Sequence, residues 1–106
     1  MIAAEFVKSG DAFRLVTLSG HADFADIGKD VVCAAVTSAF QLCANGITEI
    51  LAVKDAEVVI GKDLAGIELS STPNHAAEAF ITSLWLHLSL LSQQYPNNIK
   101  VTTMEV

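Results

Sequence analysis

Positive charge is scarce in this chain: six Lys and Arg stand against twelve Asp and Glu, a net charge of −6. Without a basic stripe there is nothing to displace counterions from a phosphate backbone, which argues against a direct nucleic acid ligand. The acidic balance suits a basic peptide or protein partner, and equally does no more than keep a protein soluble. Cysteine is also sparse, at two residues, and Met1-Ile2-Ala3-Ala4-Glu5 lacks the basic and apolar regions of a secretory leader. A reducing cytoplasm and two free thiols are therefore expected. The richest apolar stretch, Phe80 to Leu91, is broken by Thr82, Ser83, His87 and Ser89 and falls short of the roughly 20 apolar residues of a membrane crossing, so no membrane is expected as a partner. Gly20, Gly28, Gly46 and Gly61 form neither a P-loop nor a dinucleotide fingerprint. Metal-binding pairs such as Cys-x-x-Cys or His-x-x-x-His are missing as well; a set could be assembled on paper from His21, Asp23, Asp26, Asp30 and Cys33, but the default is a reaction with no cofactor and no metal.

What is present is apolar: 52% of the 106 residues are hydrophobic and 17% charged, enough to bury one core in one domain spanning 1–106. Ile2 to Val7 and Ala12 to Leu18 read as an antiparallel pair about the turn Ser9-Gly10-Asp11. From Asp30 to about Leu51, apolar residues recur at Val32, Val36, Ala39, Phe40, Cys43, Ile47 and Ile50, a helical spacing whose soft spot is Asn45-Gly46. Val58 to Ile60 and Ile67 to Leu69 flank Gly61-Lys62-Asp63 as a second hairpin. Ser71-Thr72-Pro73-Asn74 starts a helix over Ala76 to Gln94, with Glu78 placed to cap it, and Tyr95-Pro96-Asn97-Asn98 ends it. Ile99 to Val106 alternates as a last strand. The order β-β-α-β-β-α-β predicts an α+β domain, a mixed sheet with two helices packed on one face. The second helix is apolar over more of its circumference than one sheet needs, which predicts a homodimer formed through it.

Between the first hairpin and the first helix lie Gly20 to Lys29, a ten-residue connection that is long for a compact domain. His21 stands at one end of it and Cys33 just beyond the other. A nucleophilic thiol needs a nearby cation or a helix N-terminus, and this position offers both if Asp30 is the N-cap and Cys33 sits in the first turn. Asp30 would then also serve by orienting His21. Thr37, four residues on, either supports the site or bonds back to the carbonyl of Cys33. Spacing alone does not separate a nucleophile from a core cysteine, because free cysteines are among the most buried residues. Cys43 falls on the apolar stripe and reads as core; His75 reads as a helix start, and His87 as a polar interruption.

The string Gly20-His21-Ala22, a short loop, then Gly28-Lys29-Asp30-Val31-Val32-Cys33-Ala34-Ala35-Val36 closely resembles the ribosomal-processing cysteine protease family, abbreviated Prp. The resemblance runs over nearly the whole chain. It implies a usually homodimeric enzyme that removes a short N-terminal extension from large-subunit ribosomal protein twenty-seven in Firmicutes and related bacteria. Carried over, the family's histidine matches His21, its cysteine Cys33, its aspartate Asp30 and its first motif glycine Gly20. Thr37 stands where the family has serine, and Asp23 where a small residue is common. The chemistry implied is acyl transfer from a Cys33 thiolate activated by His21, with helix N-terminal amides as oxyanion donors. The loop Ala22, Asp23, Phe24, Ala25, Asp26, Ile27, Gly28 and Lys29 would close over the bound peptide. Two rivals compete: a non-enzymatic homodimeric adaptor that binds a basic ribosomal protein tail, and a thiol that senses oxidants.

Overall fold

The computed structural model describes residues 1–20, 27–61 and 63–106, and of residues 27–30 the backbone. Two alternating segments, β1 (Ile2–Ser9) and β2 (Ala12–Ser19), pair as an antiparallel hairpin, with Gly10 at a φ of +62° in the turn. Helix α1 (Ile27–Asn45) comes next, then a π-helical turn (Gly46–Ile50). A second hairpin, β3 (Glu57–Ile60) and β4 (Leu64–Glu68), leads through helix α2 (His75–Gln94) to β5 (Ile99–Glu105). The five strands form one sheet in the order β3-β4-β2-β1-β5, with β5 parallel to β1 and the other neighbours antiparallel.

This strand order explains why both helices share one face. Strands β2 and β3 run the same way, so α1 is a crossover that skips β4; β4 and β5 also run alike, and α2 crosses over β2 and β1. The second crossover reverses both the strand direction and the direction of travel across the sheet. Right-handed connections at both places therefore bring the helices to the same side. There Ile2, Ala4, Phe6, Val16, Leu18, Ile67 and Ile99 of the sheet meet Val32, Val36, Phe40, Cys43 and Ile47 of the first helical segment and Ala77, Ile81, Leu84 and Leu88 of α2 in one buried core.

Helix α1 begins at Ile27, three residues before the start expected at Asp30. By length and composition Val31–Ile50 could cross a membrane (mean hydropathy 1.5). Its apolar stripe from Val32 to Ile47 is instead buried against the sheet and α2. The soft spot at Asn45-Gly46 is where the winding changes, and the Leu51 amide donates to the Gly46 carbonyl at 2.9 Å across five residues. One extra residue in that turn rotates the residues after it by roughly 100°. Ile50, expected in the core stripe, is consequently 80% exposed, and Leu51 packs on the core in its place. A Cβ at Gly46 would lie 2.5 Å from the Phe80 ring of α2, so a larger residue here would have to displace that ring.

The segment ends with the Val53 amide bonded to the Ile47 carbonyl at 3.0 Å and Ala52 at a φ of +52°. Alanine in this left-handed position carries a steric cost that glycine avoids. Ala52→Gly is therefore expected to raise stability by about 0.5–1 kcal/mol, measured as a shift in the urea midpoint at unchanged slope.

Asn74 caps α2, accepting from the Ala77 amide at 3.0 Å, while the Asn74 amide donates to Glu78 Oε2 at 3.3 Å. Glu78 is nearly buried and faces Arg14 Nη2 at 3.7 Å. Arg14 reaches it because the β1–β2 register shifts between Val7 and Lys8, making Arg14 the extra residue of a bulge; its Nη1 also donates to the Ser70 carbonyl. Trp85 stacks on Phe13 and donates to Thr103 Oγ1 at 3.2 Å, tying α2 to both β2 and β5.

Candidate functional site

Cys33 neighbours the fully buried Val32 at the border of the α1 stripe, so it is half-buried rather than sealed in the core. It opens on two hollows. The inner one, about 140 Å³, lies between α1 and one end of the sheet, where β2 runs out through Leu18 to Gly20 and the β3–β4 hairpin turns through Ile60, Gly61 and Leu64. Its lining is mostly apolar, with Thr37, Gln41 and Asp63 as the polar contributors. The outer one, about 630 Å³, is a shallow trough along α1 from Cys33 to Asn45. Gly20 closes the inner hollow with a φ of +84°. A Cβ on it would stand 2.3 Å from the Met1 carbonyl oxygen, so only glycine lets β2 end this close to the start of β1.

Thr37 and Gln41 line both hollows. Elsewhere on the helices, Thr48, Thr82 and Ser83 donate to the carbonyl four residues back, at 2.7–2.9 Å. Among the described residues Thr37 makes no such bond to Cys33, so the reading of its hydroxyl as a backbone satisfier does not hold. Gln41 was not singled out in the sequence. Its signal was there, two helical steps of four residues from Cys33.

The helix start changes three expectations. Asp30 is not the N-cap, because the backbone is already helical from Ile27; Ile27, Gly28 and Lys29 belong to α1 rather than to a loop; and Cys33 lies in the second turn. His21, Ala22, Asp23, Phe24, Ala25 and Asp26 lie outside the described residues. The paper metal set falls mainly there too; among the described residues no three His, Cys, Asp or Glu side chains gather as a metal site.

The other sulfur is placed as expected. Cys43 is buried on the α1 stripe, and burial pushes its thiol from the ordinary 9.0 up to about 12. A thiol so held is inert at neutral pH. Between pH 9 and 12 the folded protein keeps this proton while the unfolded chain releases it, so the protein loses stability as pH rises through that window. Cys43→Ala should therefore show a shallower decline in melting temperature from pH 9 to 11 than the parent, whatever the variant's starting stability. His75 is the first residue of α2, with Nδ1 3.5 Å from Glu78, and His87 is exposed on α2, lining a hollow between the two helices.

The family model described as "Cysteine protease Prp" matches residues 1–100. The chain belongs to this family of cysteine proteases. A Prp relative, the ribosomal processing cysteine protease of Bacillus subtilis (strain 168), is 30% identical, with 97% of each chain covered. Among solved structures, SMU.848 from Streptococcus mutans superposes with a TM-score of 0.83 at 24% identity, over 100% of this chain and 96% of that one. The Prp protease of S. aureus, solved with a covalently linked product peptide, gives 0.77 at 22% identity, over 97% of this chain and 99% of that one. These two likenesses establish the Prp fold, a mixed five-stranded sheet with both helices on one face.

Proposed function

We propose that residues 1–106 act as one protease domain that removes the N-terminal extension of large-subunit ribosomal protein twenty-seven, with Cys33 as nucleophile and His21 as base. The observation that carries this reading is a half-buried cysteine at the meeting point of two hollows, in a member of a cysteine protease family, while the second cysteine is sealed in the core. A ribosomal substrate is supported by the Bacillus subtilis relative, which is named for ribosomal processing, and protein twenty-seven is what the family resemblance implies.

His21 draws the proton from the Cys33 thiol, and the thiolate adds to the scissile carbonyl. The C–N bond breaks as His21 returns the proton to the leaving amine; water, deprotonated by His21, then cleaves the thioester and restores the thiol. Because Cys33 lies beyond the first helical turn, activation rests on the imidazole, with Asp30 orienting it and Gly20 holding the chain that leads to it. Residues 22–29 contribute to peptide binding. The protein works in the cytoplasm as a homodimer joined through α2, where Leu86 and Leu90, one helical turn apart, are 53% and 51% exposed.

The test is to incubate the purified protein with the host's ribosomal protein twenty-seven precursor and read the new N-terminus by mass spectrometry. Trimming at a single bond is expected. A precursor that stays intact while binding tightly would replace this reading with the adaptor.

A further inference from the structure

Cys33, Thr37 and Gln41 step along α1 four residues apart, about 6 Å of rise per step. Extended peptide repeats its backbone orientation every two residues, or roughly 6.6 Å. The two periods nearly agree. A peptide with its scissile carbonyl at Cys33, running obliquely along this stripe toward Asn45, meets Thr37 two residues away and Gln41 four residues away. Both side chains border the hollows that join at Cys33, so the stripe is also the path of open space.

Gln41 is exposed, and among the described residues its carboxamide has no hydrogen-bond partner. A carboxamide carries an acceptor and donors on one end, matching the N–H and C=O of a peptide unit whatever its side chains. Of the other polar groups on the trough, Ser38 has a short hydroxyl, and Asn45, four residues further along α1, carries a carboxamide on a side chain one methylene shorter. We propose that Gln41 is a substrate-binding residue that holds the peptide backbone about four residues from the scissile bond. This inference rests on the proteolytic reading above for its substrate.

The experiment uses peptides spanning the precursor cleavage site, shortened one residue at a time from either end, against the parent and Gln41→Ala. With full-length peptide, Gln41→Ala should raise KM about five- to tenfold, the worth of one or two neutral hydrogen bonds, with the loss in KM rather than kcat. In one of the two series the difference should vanish once the fourth residue from the scissile bond is removed. Gln41→Glu, which keeps the acceptor and loses the donors, should fall between the two. A loss that is equal for long and short peptides, or no loss with the full-length peptide, overturns the assignment. Peptide binding to the same proteins by fluorescence anisotropy separates the two claims. No cleavage, with binding that still depends on Gln41 and on the fourth residue, sinks the protease and keeps the Gln41 contact. Cleavage with no Gln41 dependence does the reverse, and absence of binding and cleavage removes both.

Discussion

Cys33→Ala should lower kcat/KM for the precursor peptide by at least about a thousandfold, because the hydroxyls left on the trough, Thr37 and Ser38, are far weaker nucleophiles than a thiolate at neutral pH. The second thiol offers no bypass, being buried and held protonated up to about pH 12. Cys33 is only half-buried, and loss of its sulfur should change stability by about 1 kcal/mol or less. The variant thus separates chemistry from folding: a melting curve close to the parent's with cleavage gone. Retained cleavage would mean that another group attacks the scissile carbonyl and that Cys33 makes no covalent bond to the peptide.

Gly20→Ala should cost about 2–4 kcal/mol, the largest loss expected from one added methyl group here. Two effects add. The φ of +84° is strained for any residue with a Cβ, and that Cβ would sit 2.3 Å from the Met1 carbonyl oxygen. Relief requires the end of β2 and the start of β1 to part, opening the pair Ala3 with Ser19. Because Gly20 also lines the inner hollow and leads directly into His21, cleavage should fall even well below the melting temperature. Urea unfolding gives the first quantity, and kcat/KM at low temperature the second. A stability unchanged within about 0.5 kcal/mol, a surface-like effect, would mean that the approach to Met1 relaxes freely.

The element order was legible because each segment advertises its period: alternation through Ile2–Val7 and Ile99–Val106, and threes and fours from Val32 to Ile47. The helix start was not. Its periodic apolar residues begin only at Val32, Gly28 argues locally for a loop, and Asp30 carries the composition of a cap, so the first turn resembles the residues before it. A uniform 3.6-residue winding places Ile50 in the core, but the winding changes at Gly46. Strand order was not legible, since it depends on how the crossovers pass β4, β2 and β1 rather than on any local pattern. Arg14 looked like an ordinary strand residue; only the bulge turns it toward Glu78. In the site, the apolar stripe was enough to place Cys43 in the core, whereas Cys33 stood out through the family resemblance of the string around it. Gln41 was missed because a lone glutamine on an exposed helix face has no motif, and its meaning comes from the hollows on either side.

The central claim is that Cys33 attacks the scissile carbonyl, and it is tested most directly with a substrate peptide ending in a chloromethyl ketone in place of the scissile bond. Intact mass and peptide mapping should find one label, carried on Cys33 with loss of chloride, and remaining proteolysis should fall in proportion to labelling. Proteolysis that persists when Cys33 is fully alkylated, or that disappears with label on another residue, would contradict the account.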